Sequence, residues 1–166
     1  MWRPGGPAHI VRARLARAAH LCGTVRRVTA RAGPIDMTKL ALLADVHGNL
    51  EALTACLAAA GEAGAECYAF LGDLVGYGAD PVAVLEIVEA HARTGAIVVK
   101  GHHAPAIFDE AEARSMNPAA EESIAWTRAQ LGERHRAFLR GLPLSARRDA
   151  ALLVHASAEA PGRWIY

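Results

Sequence analysis

Asp45 and His47 stand two residues apart behind the apolar run Leu40-Ala-Leu-Leu-Ala44. A carboxylate oxygen and an imidazole nitrogen at that spacing can reach one metal ion. The same residue types recur down the chain. Asp73 follows Gly72, His102 and His103 follow Gly101, and His155 follows Ala151-Leu-Leu-Val154. Mixed carboxylate and imidazole donors suit Mn, Fe, Zn, Co or Ni. A carboxylate such as Asp73 can bridge two ions. Two ions about 3.5–4 Å apart can hold a bridging hydroxide and clamp a phosphoryl group for in-line attack, and they lower the pKa of bound water to around 7. An imidazole left outside the ligand set can protonate the leaving oxygen.

For these side chains to meet, the elements that carry them must end along one edge. A short continuous apolar run closed by turn residues reads as a buried strand. Such runs begin at Leu40 and cover Cys67–Leu71 and Ala96–Lys100. Between them, Asn49 N-caps a helix to about Ala60, with Leu50, Leu53, Leu57 and Ala60 as its apolar stripe. Asp80-Pro81 reads as an N-cap followed by proline at the first helical position, and Val82, Val84, Leu85 and Val88 fill that helix. The alternation predicts an α/β fold with a parallel sheet and right-handed crossovers. Open α/β sheets bind ligands beyond the carboxyl ends of their strands, where Asp45, His47, Asp73, His102 and His103 fall. Further on, Asn117-Pro118 opens a helix to about Leu131, and Glu133–Leu139 forms another. Residues 147–150 and 151–155 read as a hairpin or a pair of strands, with His155 at a strand end.

The chain of 166 residues is 52 % hydrophobic and 21 % charged, the balance of a globular protein with one core. No apolar run approaches the ~18 residues of a membrane-spanning helix, so no membrane partner is expected. Cys22, Cys56 and Cys67 have neither metal-ligand nor disulfide-framework spacing, which suits a reducing, cytoplasmic compartment. The net charge of +1 hides an asymmetry: residues 1–36 carry seven arginines and one acid, whereas residues 37–166 carry 11 basic and 16 acidic residues. A mildly acidic body lacks the basic face of a nucleic-acid-binding domain. The Arg-rich stretch 1–36 has no serine, against a transit peptide, and reads as a disordered basic extension before a domain over 37–166.

Other polar residues fit blander roles. His91 sits near a helix C-terminus, where the dipole favours it. His9, His20 and His135 have no ligand context. Lys100 lacks the aspartate triad of a phosphorelay receiver, and Gly76-Tyr-Gly78 lacks the third glycine of a dinucleotide fingerprint.

Taken with their flanks, the motifs carry a resemblance. Asp45-Val-His-Gly-Asn-Leu-Glu-Ala-Leu53, Gly72-Asp-Leu-Val-Gly-Tyr-Gly78, Gly101-His-His103, Asn117-Pro-Ala-Ala120 and His155 occur in the order seen in the calcineurin-like metallophosphoesterases. The stretch 37–166 resembles their small bacterial branch. The resemblance implies an αββα sandwich with a dinuclear metal site acting on a phosphomonoester or phosphodiester substrate through a metal-bridging hydroxide. It implies that Asp45 and His47 hold one ion, Asp73 bridges, His102 and His155 hold the other, and His103 is the acid near the leaving group.

The departures from the family pattern are equally specific. Its third motif reads Gly-Asn-His followed by an acid; here those positions are His102 and Ala104. His155 is followed by alanine where the family has glycine. The family's last Gly-His-x-His motif does not occur before Tyr166. The expected fold is therefore a partial αββα sandwich lacking most of the second sheet, with an apolar face that a second copy or a completing chain would cover. The same departures leave a non-catalytic alternative, a member that binds metal, phosphate or a partner chain without turnover.

Deleting residues 1–36 should leave the melting temperature nearly unchanged by differential scanning calorimetry. A large drop would mean that the basic extension packs against the domain.

Overall fold

The computed structural model describes residues 38–160. The Arg-rich stretch 1–36, and the expectation that it is disordered, lie outside them. Three strands, β1 (Leu40–Leu43), β2 (Cys67–Phe70) and β3 (Ile97–Val98), form a parallel sheet in that order. Helices α1 (Leu50–Glu62) and α2 (Pro81–Arg93) are the crossovers that parallel pairing requires. The register runs from Leu40 opposite Cys67 to Leu43 opposite Phe70, with Ala69 and Phe70 opposite Ile97 and Val98. Central β2 is the most enclosed strand: Ala69 and Phe70 are both 0 % exposed. Phe70 and Val98 share a core with Val84, Leu85 and Val88 of α2, and Leu43 and Tyr68 pack against it.

Among helix starts with an Asn or Asp at the capping position, all but one are capped by its side chain. The Asn49 side chain accepts from the Ala52 amide at 2.9 Å and caps α1. Asp80 occupies the capping position of α2, but its side chain makes no cap hydrogen bond. The Asp80 amide instead donates to the Gly48 carbonyl at 2.9 Å, tying α2 to the loop after β1. Pro81 removes one of the donors a cap would otherwise satisfy.

Strand β3 is shorter than its apolar run. The Val99 amide still donates to Phe70, but the Lys100 amide turns to the Pro143 carbonyl at 2.7 Å, and the ladder stops. Two short helices follow, α3 (His103–Ala106) and α4 (Glu110–Arg114). Asn117 then caps α5 (Pro118–Gln130) through the Ala120 amide, and α6 (Glu133–Gly141) closes the helical part. Buried Ile124 and Leu139 carry α5 and α6 into the core. A buried acid on α2, Glu89, accepts from Arg134 of α6 at 2.6 Å.

The chain ends its described part in an antiparallel hairpin, β4 (Ser145–Arg148) and β5 (Ala151–Val154). Its two-residue loop is Asp149-Ala150, with Asp149 at φ 52°. That loop sets the register, so β4 starts two residues before the stretch its sequence suggests. Arg148 donates to Cys67 Sγ on β2 at 3.1 Å, and Leu153 is buried. Among the described residues this hairpin is the only antiparallel element, as a partial sandwich requires. β1 is an edge strand, and its Leu42 is 55 % exposed; Leu144 and Leu152 are exposed as well. No described helix is long and apolar enough to cross a membrane.

Phe70→Ala empties the centre of the core. It should cost about 3–5 kcal/mol, read as a fall in the urea midpoint. A cost below about 1 kcal/mol would show that the sheet does not pack as described.

Candidate metal centre

The strand ends are joined by backbone before any side chain takes part. Beyond β1 and β2 the pairing continues: the amides of Asp45, His47 and Gly48 donate to the carbonyls of Gly72, Asp73 and Leu74 at 3.2, 2.8 and 2.8 Å. Within this zipper Asp45, His47 and Asp73 have φ of 55°, 51° and 49°. Asp and His enter the left-handed region more readily than most residues. Three of them together are still a cost that only a well-determined surrounding sustains, and such costs gather at functional sites.

Two glycines let the loops close on one another. A β-carbon on Gly72 would lie 2.7 Å from the Gly101 nitrogen and 2.9 Å from Nδ1 of His155. A β-carbon on Gly101 would collide with the amide and Oδ1 of Asp73. With both positions bare, Asp73 enters the space between the β2 and β3 loops. There it is 3 % exposed, and its Oδ1 accepts from the His103 amide at 2.9 Å.

Around Asp73 the histidines form two sets. The ligand atoms of His47, Asp73 and His103 lie within 4.8 Å of one another, and so do those of Asp73, His102 and His155. Asp73 belongs to both, the position a bridging carboxylate needs. The rings of His47 and His103 meet edge-on with centroids 4.7 Å apart, as do those of His102 and His155, also at 4.7 Å. The hairpin delivers His155 from the far end of the chain. Its Nδ1 lies 2.7 Å from the Leu71 carbonyl and its Nε2 3.3 Å from Oδ2 of Asp73. A main-chain carbonyl on one ring nitrogen aims the other, the arrangement typical of a metal-binding histidine. Asp45 lies at the rim: its Oδ1 is 3.7 Å from Nε2 of His47, its side chain is half exposed, and it falls in neither set. The structure thus brings five of the six residues singled out in the sequence into the two sets, with Asp45 at their rim and His103 beside His47 rather than apart from the ligands.

The donor set fits a divalent cation. Buried Nδ1 atoms of His47 and His103 have no hydrogen-bond partner among the described residues. Burial pushes the Asp73 carboxyl up, but the His155 hydrogen bond, the His103 amide and the charge of both imidazoles together hold it below its ordinary value. Burial holds the His103 imidazole below its usual range against the pull of Asp73. The Asp73 hydrogen bond raises that of His155 despite burial. An acid that stays ionised while buried among imidazoles suits a cation shared between them.

Three residues that the sequence did not mark as site residues, Tyr77, Asn117 and Ser123, also build the site. Tyr77 lies with its ring centroid 5.1 Å from that of His47 and 4.9 Å from that of His103. Its amide donates to Oγ of Ser123 on α5, and its hydroxyl accepts from Asn117, the N-cap of that helix. Spacing alone does not single out a tyrosine between two glycines; the signal available was that an aromatic in a glycine-rich loop has no core to enter. An open groove of about 650 Å³ adjoins the centre, lined by Asp45, His47, Asn49, Glu51, Tyr77 and Asp80 among others.

Comparison with known proteins agrees with this geometry. The model of the calcineurin-like phosphoesterase family matches residues 38–157. The uncharacterized protein MJ0912 of Methanocaldococcus jannaschii is 29 % identical over 131 residues, covering 76 % of this chain and 53 % of the relative. A metallophosphoesterase from Sphaerobacter thermophilus is 34 % identical with a TM-score of 0.63, over 76 % of this chain and 51 % of that one. The hypothetical protein PH1004 from Pyrococcus horikoshii OT3 is 26 % identical with a TM-score of 0.66, over 75 % and 57 %. The chain therefore spans about half the length of these relatives. With the ordered motifs, their convergence on Asp73 and a family match over most of the chain, the protein belongs to the calcineurin-like phosphoesterase family.

Proposed function

We propose that this chain carries the metal centre of a phosphoesterase hydrolysing a phosphomonoester or phosphodiester. The observation that carries the reading is Asp73, buried and common to two three-residue ligand sets. His47 and Asp73, with Asp45 at the rim, would hold one divalent ion; Asp73, His102 and His155 would hold the other. Bound there, Mn, Fe, Zn, Co or Ni would supply positive charge to the phosphoryl oxygens and a hydroxide nucleophile at neutral pH. The protein's own part is to fix the donors, through the Leu71 carbonyl on His155 and the zipper under His47. His103 gives its proton to the leaving oxygen. Free thiols at Cys56, which is exposed, and Cys67 support a cytoplasmic setting.

One observation favours a second reading. Ala104 occupies the place of the family's acid, and Nδ1 of buried His103 has no hydrogen-bond partner among the described residues. A member without turnover would bind metal through the same residues and release no product. Isothermal titration with Mn²⁺ alongside p-nitrophenol release from bis-p-nitrophenyl phosphate separates the two. Heat with no release supports the non-catalytic member, and heat with release supports the enzyme. In either case Asp73→Asn should abolish binding, because both sets lose their shared charge. If Asp73→Asn binds Mn²⁺ as tightly as the parent, the centre is not where we place it.

The role of His103 has its own test. An acid matters little for a leaving group as good as p-nitrophenol and greatly for an alkyl alcohol. His103→Asn should slow cleavage of an alkyl phosphoester by about 10²–10⁴ while sparing the p-nitrophenyl ester and Mn²⁺ affinity. Equal losses on both esters, with weaker Mn²⁺ binding, would make His103 a ligand instead.

A further inference from the structure

Tyr77 is placed at a conformational expense that its packing does not explain. Its φ is 65°, a region that bulky side chains rarely enter and that Asp, Asn and His tolerate better. Its side chain gains little from burial, since the residue is 50 % exposed. A strained, half-exposed aromatic persists only if its surroundings hold it there. Helix α5 does so from two sides: the Tyr77 amide donates to Ser123 Oγ at 3.1 Å, and Asn117 Nδ2 donates to the Tyr77 hydroxyl at 3.3 Å. Asn117 is itself fixed, because its Oδ1 caps α5 through the Ala120 amide.

What the ring touches gives the reason. It meets the His47 ring edge-on and the His103 ring at a tilt, and those two imidazoles meet each other. Behind His103 the backbone of Gly76 closes the space, since a β-carbon there would collide with Nδ1. His103 is thus enclosed by Gly76, His47 and Tyr77, and no described side chain hydrogen-bonds its Nδ1. Ring packing replaces the hydrogen bond that usually orients a working histidine.

We propose that Tyr77 is a positioning residue: anchored on α5, it locks the rotamers of His47 and His103 so that their nitrogens converge on Asp73. The reach of this inference rests on the metal-centre reading above, but the locking itself does not require a bound ion.

Tyr77→Gly and Tyr77→Phe in the full chain test it. Glycine removes the ring and relieves the left-handed backbone, so the melting temperature should hold or rise. Phenylalanine keeps the ring and loses only the hydroxyl. In the metal-free protein, the nuclear Overhauser contact between the His47 and His103 ring protons should weaken in Tyr77→Gly and persist in Tyr77→Phe. Mn²⁺ affinity should fall about 10–100-fold in Tyr77→Gly and stay within about threefold of the parent in Tyr77→Phe. A Tyr77→Gly protein that keeps the ring contact overturns the proposal. So does one that loses stability in step with affinity, which would make the ring ordinary packing. If the parent binds no Mn²⁺, the metal-centre reading fails, and the ring contact alone decides for or against the locking.

Discussion

A carboxylate removed from water must be compensated, or it takes up a proton. Asp73 is that carboxylate, and the site is built to keep it charged. One oxygen takes the His103 amide, the other faces His155, and the neighbouring imidazoles supply the remaining favourable field. Bringing it there needs a loop with φ of 49° at Asp73 and two bare glycines, one on the same loop and one on the next. Taking away Asp73 would leave this geometry without an energetic purpose. The cost of the strained turns is therefore tied to the chemistry of one side chain.

The parallel sheet is what makes the arrangement affordable. Its three strands run the same way, so three loops leave at one edge within hydrogen-bonding distance. The hairpin adds the fourth contribution from a different direction. Arg148 reaches Cys67 near one end of β2 while His155 reaches the Leu71 carbonyl at the other, so the hairpin lies along that strand. Ala69 between those two ends is fully buried, whereas Leu42 on the edge strand is exposed. A sheet covered over β2 and open over β1 agrees with a chain that spans about half the length of its relatives.

The two candidate ligand sets are alike in composition, each with two imidazoles and one carboxylate oxygen. Their supports differ. His155 is aimed by a main-chain carbonyl, whereas His47 and His103 are held by ring packing under Tyr77. His102 belongs to the second set, and its ring lies against His155.

Residue type and local order were enough to read the alternating α/β scheme, the caps at Asn49 and Asn117, and the residues able to hold a metal, because each depends on a neighbour a few positions away. The two-residue ladder of β3 was not legible: its apolar run continues to Lys100, and only the distant Pro143 carbonyl ends it. Nor was the missing cap at Asp80, whose amide answers to Gly48 across the loop. The pairing of His103 with His47, the rim position of Asp45 and the anchoring of Tyr77 all join residues far apart in the chain. The sequence by itself determined which side chains could do chemistry and on which strand ends they sit. Their partition into two sets around one buried carboxylate was decided only by tertiary structure, because it depends on how closely three loops and a hairpin approach, and that is a property of packed backbone rather than of spacing.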